Sequence, residues 1–394
     1  MERASLTDEI NECADVLSRG LAAMQQRFFA PSGEKELRTF SGQEAAELLE
    51  VTFGYVRKLL AEGKITAPLG PGNRRVFTAE DIWSIRQMLA SEARDPARFQ
   101  PGRRGPDDHL QVLVFSTFKG GSSKSTSCIH TAQRLALRGY RVLVIDADPQ
   151  ASLTTYFGKQ PSLDFADGGT LYDTIRYPDG DEDRLPTRDV INKSYFPHLD
   201  YIAGGIDLAE FEHEAPRALA NMQPPFHTRL SAAIAEVEDQ YDVVLIDCPP
   251  SLGFTTLAAL TSATGLILPV IPDRVDVASL AQFLRMAGDF MGVLKRHGVD
   301  EKIDFMRFQL SRFDTSISAH LDVADYLRSR FGDHVLASEF LKSSEISSAG
   351  LEQKTVWEVV PGKAQWKTRA RIVAAATAVT DEIHGLIQQA WGRT

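Results

Sequence analysis

Apolar side chains recur at three- and four-residue steps near the start of the chain, at Leu6, Ile10, Ala14, Leu17, Leu21 and Met24. That spacing predicts one helix over residues 5–29 with a single apolar face, and the stretch APSGEKEL ends it. From Phe40 to about Leu89 the pattern is helical with one short extended piece. The stretch SEARDPARFQPGRRGPDDH then has the proline, glycine and charge of a linker. Beyond residue 105 the pattern changes to continuous apolar runs, QVLVFST, RVLVIDAD, YDVVLIDCPP and GLILPVIP, separated by helix-like stretches. Unbroken apolar strands are buried on both faces, and their alternation with helices predicts a mainly parallel sheet flanked by helices. The expected organisation is an N-terminal helix (1–38), a small helical domain with its linker (39–104) and an α/β domain (105–394), with no internal repeat.

Composition narrows the function. The chain has 394 residues, 43% of them hydrophobic, and a formal charge of −10. That is room for two or three cores, and the charge excludes a protein that coats nucleic acid with its whole surface, leaving only regional contact. Cys13, Cys128 and Cys248 are too scattered for a disulfide framework or a zinc site, and none of the nine histidines falls in a ligand spacing. Acids stand near the N-terminus where a secretory leader has basic and apolar residues, and no apolar run is long enough to span a bilayer. A cytoplasmic protein with no membrane partner is expected.

The chemistry gathers at VFSTFKGGSSKSTSC, residues 114–128. Phe118 and Ser123 stand where a general phosphate loop carries glycine; the glycines are Gly120 and Gly121, with Lys119 in front of them. A strand precedes this turn and a helix follows it, so backbone N–H groups and the positive end of a helix dipole converge on an anion. Lys124 would reach terminal phosphates and the Ser125 hydroxyl would ligate Mg²⁺. Small residues before a helix also make plain tight turns, so the acids matter. Asp146 and Asp148 close one predicted strand and Asp247 closes another, at the carboxyl edge where open α/β sheets bind ligands. A Walker B aspartate stands where Asp247 does, holding Mg²⁺ through water.

The run Lys119-Gly120-Gly121-x-x-Lys124-Ser125 resembles the deviant Walker A loop of the ParA/MinD group of P-loop ATPases. The resemblance implies that ATP or ADP is bound by Lys119, Gly120, Gly121, Ser122, Ser123, Lys124, Ser125 and Thr126, with Lys119 reaching a partner subunit's phosphates in a nucleotide-sandwiched homodimer. It further implies that Asp148 positions the attacking water, that Asp146 supports the Mg²⁺ shell, and that PVIPDRVDVASL packs on adenine through Pro272 and Asp273. Members usually have glycine at the position of Ser123; a side chain there crowds the phosphates, which implies weaker nucleotide binding or slower turnover.

In residues 40–82, Ala45, Ala46, Leu48 and Leu49 are expected to face inward on one helix, VTFG to turn, YVRKLLAEG to form a second helix and GNRRVF a wing. From Phe53 to Arg75 the charges are Arg57, Lys58, Lys64, Arg74 and Arg75 against Glu62, a local reversal suited to phosphate contact. A helical domain with a solvated basic face is the plainer alternative. This arrangement resembles the winged helix-turn-helix of MerR-type regulators, a module that also precedes the ATPase in larger plasmid-partition ATPases. Further segments, FEHEAPRALA, LKSSEISSAG and DEIHGLIQQAWGR among them, extend the likeness to the RepA type of repABC replicons along almost the whole chain. It implies a plasmid-partition ATPase, slow and stimulated by a ParB/RepB-like partner, working on nucleoid DNA and repressing its own operon. PGKAQWKTRAR adds Lys363, Lys367, Arg369 and Arg371 as a candidate surface for nonspecific DNA, a solvated helix start being the alternative. The competing readings are a nucleotide-regulated repressor with little ATPase activity and a MinD-like membrane cycle; for the latter, Asp381 and Glu382 in the last segment favour a helix docked on the core.

Overall fold

The computed structural model describes residues 5–28, 35–102, 104–178, 184–221, 223–299, 303–343, 353–359 and 366–393. On the first helix, α1 (Leu6–Phe28), the apolar residues Leu6, Ile10, Leu17 and Met24 are all more than half exposed. A small unit follows, made of β1 (Phe40–Ser41), α2 (Gly42–Leu48), α3 (Phe53–Ala61), β2 (Leu69–Gly70), β3 (Arg74–Phe77) and α4 (Ala79–Glu92). Each helix has a sequence-coded start. Ser41 and Glu44 form a capping box on α2, the Thr52 hydroxyl accepts from the Tyr55 amide at 3.2 Å on α3, and Thr78 with Asp81 closes α4. Ala45, Ala46, Leu48 and Leu49 are buried, and β1, β3 and β2 form an antiparallel sheet whose β2–β3 pair is a short ribbon.

The large unit runs β4 (Gln111–Phe115), α5 (Lys124–Leu137), β5 (Val142–Asp146), three short helices α6 (Ser152–Thr155), α7 (Pro161–Asp164) and α8 (Leu171–Ile175), then β6 (Ile191–Lys193) and β7 (Leu199–Ile202). Next come α9 (Leu208–Ala220), α10 (Phe226–Ala235), β8 (Val243–Asp247), α11 (Phe254–Ser262), β9 (Gly265–Val270), α12 (Arg274–Arg296), β10 (Phe305–Leu310), α13 (Ser318–Phe331) and a C-terminal helix, Trp366–Ala390. Seven strands lie in the order β10-β9-β4-β8-β5-β7-β6, all parallel except the β6 edge. The residues of β4, β5 and β8 are buried throughout, as unbroken apolar runs require. The register sets Asp247 beside Phe115 on one side and Asp146 on the other, so the phosphate loop and two acids leave adjacent strands at one edge.

The expected linker is docked rather than loose. Phe99 is buried, the Gln388 amide donates to the Pro101 carbonyl at 3.1 Å, and a Cβ on Gly102 would meet the Tyr140 Cα at 2.7 Å. One hydrophobic cluster runs from Phe40 and Leu89 of the small unit through Leu135 of α5 to Ile383 and Trp391. Arg86 of α4 crosses that boundary fully buried, donating to Leu137 O at 3.1 Å, Phe99 O at 3.0 Å and Leu48 O. Ile372, Ala376, Val379, Ile383 and Ile387 bury one face of the C-terminal helix, which packs on α5. Among the described residues no helix is long and apolar enough to cross a membrane.

Candidate nucleotide site

At the carboxyl edge of the sheet lies a cleft of about 460 Å³ whose wall includes Gly120, Gly121, Ser123, Lys124, Ser125, Thr126 and Asp148. The loop climbs from β4 and turns into α5 through Ser123, which sits left-handed at φ 72 and ψ 27. Lys124 is buried, with its ammonium on the Lys119 carbonyl at 3.3 Å. Burial lowers its pKa, opposed by the neighbouring Asp247 and Asp148 carboxylates.

Asp247 is the unusual member. It is fully buried, and neither carboxylate oxygen has a hydrogen-bond partner among the described residues. Desolvation and then the nearby Asp146 hold its carboxyl well above the ordinary carboxylate range, while the Ser125 hydroxyl and the Lys124 ammonium act in the other direction. A buried acceptor pair without donors is the environment a divalent cation satisfies. Asp146 differs: its oxygens already accept from the Thr154 hydroxyl at 2.7 Å, the Thr154 amide at 2.8 Å and the Asp148 amide at 3.3 Å. Burial still pushes its pKa up to about 7. Asp148 opens on the cleft and accepts from the Gln150 amide at 2.9 Å. Ser125, Asp247 and the phosphates themselves fit Mg²⁺, which takes few protein oxygens and keeps its waters; Asp146 is placed to hold the surrounding loop rather than to ligate directly.

Other expected residues fall elsewhere. Lys119 lies on the far side of the loop, paired with Asp276 and, at 3.7 Å, with Asp273; the hydrogen bond to Asp276 raises its pKa. Asp273 caps α12, accepting from the Asp276 amide at 2.8 Å, and neither it nor Pro272 lines the cleft. The cleft wall also includes Tyr156, Phe340 and Leu341, joined by Gln150, Arg312 and Lys342. No sequence signal marked Tyr156, Arg312 or Phe340, because they reach the cleft from three separate loops.

Arg57, Lys58, Lys64, Arg74 and Arg75 are all exposed on α3, the turn after it and the ribbon. Lys58 lies 3.7 Å from Glu62, Lys64 lies 3.1 Å from Glu92, and Arg75 donates to the Ala67 carbonyl. On the C-terminal helix Lys367 and Arg371 are exposed, but Arg369 turns inward onto the Val356 and Val359 carbonyls, which removes it from the expected surface patch. Lys363 lies outside the described residues.

A family profile described as an AAA domain matches residues 110–297. A Rhizobium rhizogenes protein provisionally named replication protein A is 43% identical over 98% of this chain and 96% of its own length. The chain belongs to the ParA/MinD family of P-loop ATPases. Protein SopA of Escherichia coli K12 is 27% identical over 90% of each chain, and chromosome partitioning protein ParA of Caulobacter vibrioides is 30% identical over 61% of this chain and 84% of its own. Among solved structures, a partition protein shares the fold over 96% of this chain and 99% of its own, with TM-score 0.64 at 18% identity. A cobyrinic acid a,c-diamide synthase from Mycobacterium smegmatis, solved with ADP and magnesium, matches 62% of this chain and 91% of its own with TM-score 0.50 at 25% identity. The ParA-type fold accounts for the mainly parallel sheet, the deviant loop at its edge and the position of Asp247 two strands from β9.

Proposed function

We propose that this protein is a plasmid-partition ATPase that binds ATP or ADP with Mg²⁺ in the cleft, closes as a homodimer on ATP and tracks nonspecific DNA on the nucleoid. In this reading a ParB/RepB-like partner stimulates its slow hydrolysis, residues 39–104 form a winged helix-turn-helix that represses its own operon, and α1 contributes to pairing. The observation that carries the proposal is the fully buried carboxylate of Asp247 beside Lys124 and Ser125 at the base of a phosphate loop. The ADP and magnesium of one structural relative and the partitioning name of the Caulobacter vibrioides relative support it.

Lys124 supplies the charge that reaches the terminal phosphates, and the Ser125 hydroxyl and Asp247 hold Mg²⁺. The bound ion neutralises charge on the phosphates. Asp148, open on the cleft, orients the attacking water. Lys119 is the group available to a second subunit once it leaves Asp276 and Asp273. Arg57, Lys58, Lys64, Arg74 and Arg75 contact operator phosphates, and Lys367 and Arg371 serve nonspecific DNA.

The test is Mg²⁺-dependent ATP hydrolysis by the full chain, with and without random duplex. Lys124→Ala should abolish ATP binding, Lys119→Ala should keep binding but lose ATP-driven dimerisation, and Asp148→Ala should keep the dimer and lose turnover. In the same protein Arg57→Ala with Lys58→Ala should leave hydrolysis intact and lower the salt slope of operator binding by roughly one unit per lost phosphate contact. Equal loss of nucleotide affinity in the two lysine variants, or hydrolysis that survives Asp148→Ala, would sink the assignment of roles.

A further inference from the structure

Arg312 sits just past the end of β10, with φ 47, in the left-handed region that glycine enters without steric cost and arginine does not. Its neighbours explain how the conformation is enforced. The Ser311 amide donates to the Val270 carbonyl at 2.8 Å, the Phe313 amide to the Phe340 carbonyl at 3.0 Å, and the Phe313 ring is buried. The backbone is thus pinned on both sides, and the one residue left to turn between them carries a long cation rather than no side chain. The turn sends that side chain over the phosphate loop: the Arg312 Nη1 donates to the Gly121 carbonyl at 3.2 Å, and the residue lines the cleft together with Lys342. Strained backbone that its surroundings over-determine concentrates where a ligand is gripped. A guanidinium exposed to solvent on a carbonyl has spare donors, and a planar fork suits phosphate oxygens better than it suits one carbonyl.

We propose that Arg312 is a nucleotide-contacting residue, its guanidinium binding the phosphate chain held by the loop of its own subunit. This rests on the ATPase reading of the cleft. Phe340 and Leu341, next to it in the cleft wall, leave the base an apolar surface, so Arg312 stands between the base side and the loop. A purely structural role would instead make it a tether for the Gly121 carbonyl, and the two roles separate cleanly under substitution. Glycine relieves the strained φ while deleting the cation; lysine keeps a charge and loses the fork.

The experiment is calorimetric titration of the full chain, wild type, Arg312→Gly and Arg312→Lys, with ADP, ATP and inorganic tripolyphosphate, each with Mg²⁺, alongside thermal melts without ligand. Arg312→Gly should bind all three ligands about tenfold more weakly, equivalent to about 1.4 kcal/mol, without any loss of thermal stability. Arg312→Lys should fall between it and wild type. Unchanged affinity in Arg312→Gly overturns the proposal, and so does a loss confined to ADP and ATP, which would place the guanidinium on the nucleoside. If Arg312→Gly melts lower than wild type, Arg312→Lys decides alone: wild-type affinity for tripolyphosphate then overturns the contact, and a severalfold loss supports it. A wild-type protein that binds none of the three ligands would overturn the ATPase reading itself, whereas a wild type that binds while the variants bind equally removes only Arg312.

Discussion

At Ser123 a hydroxymethyl group occupies a left-handed position in the wall of the cleft, a conformation that costs a side chain about 1 kcal/mol against glycine. Ser123→Gly should therefore raise stability by about 1 kcal/mol and tighten ADP binding severalfold, since it relieves backbone strain and clears the space next to the phosphates. Thermal melts with and without ADP check both effects, and a stabilised variant with unchanged ADP affinity would show that the hydroxymethyl group does not crowd the ligand. The residue scale also shows where the sequence was readable. Lys124, Ser125, Asp148 and Asp247 announce themselves because a loop motif and strand ends are local patterns, and the structure does gather them at one edge. Arg312, Tyr156 and Phe340 share that cleft through chain segments far apart in sequence, so only the strand order brings them together. Pro272 and Asp273 follow β9, and Asp273 lies on the Lys119 side of the loop, outside the cleft wall.

Among the elements, α5 is the one on which the molecule turns. Its first residue is Lys124, its middle is almost wholly buried and its last carbonyls meet the small unit. His130, mid-helix, has its Nδ1 on the Thr126 carbonyl at 2.7 Å and its Nε2 on the Val356 amide at 3.2 Å, which fixes a neutral ring donating from Nδ1. Burial lowers its pKa to about 4. An unfolded chain binds that proton near pH 6.5, so between about pH 6.5 and 4 the unfolded state holds more protons than the folded one and stability falls as pH falls. Across the whole window the loss from this group is about 3 kcal/mol. Urea unfolding at pH 7 and pH 5 should show a smaller pH dependence in His130→Gln than in wild type; equal slopes would mean the ring is not held neutral. The loop's strand-turn-helix context marks this helix in the sequence, whereas a count of charges puts Arg369 on the surface and the structure turns it inward. A cation in the first turn of a helix looks solvated in sequence, and only the fold shows two backbone carbonyls waiting for it.

For the molecule as a whole, the change of pattern near residue 105 reads as a join between a small unit and a large one, and its composition reads as a tether. Proline, glycine and charge describe residues 91–109 well, yet nothing local reveals that Arg86 will bury itself against three carbonyls contributed by both units. A second buried strut reinforces the first. Lys35 pairs with Glu358 at 2.8 Å, both side chains almost inaccessible, and donates to the Tyr156 carbonyl at 2.5 Å, just behind the cleft wall. Arg86→Met should leave those carbonyls without donors and cost roughly 3 kcal/mol. Calorimetry should then resolve a separate, earlier transition for the small unit; a single unshifted transition would mean that the apolar cluster alone makes the join.

That keyed joint has a geometric consequence. A reading head on a string can find its half of an operator wherever the half-site lies, but a head fixed to its engine cannot. In the proposed dimer the separation and relative twist of the two α3 helices are set by how the ATPase faces meet. DNA turns once every 10 to 10.5 base pairs, so a small rotation at the nucleotide interface becomes a change of helical phase at the operator. The cleft would then work as the caliper that decides which spacing of half-sites the protein can straddle.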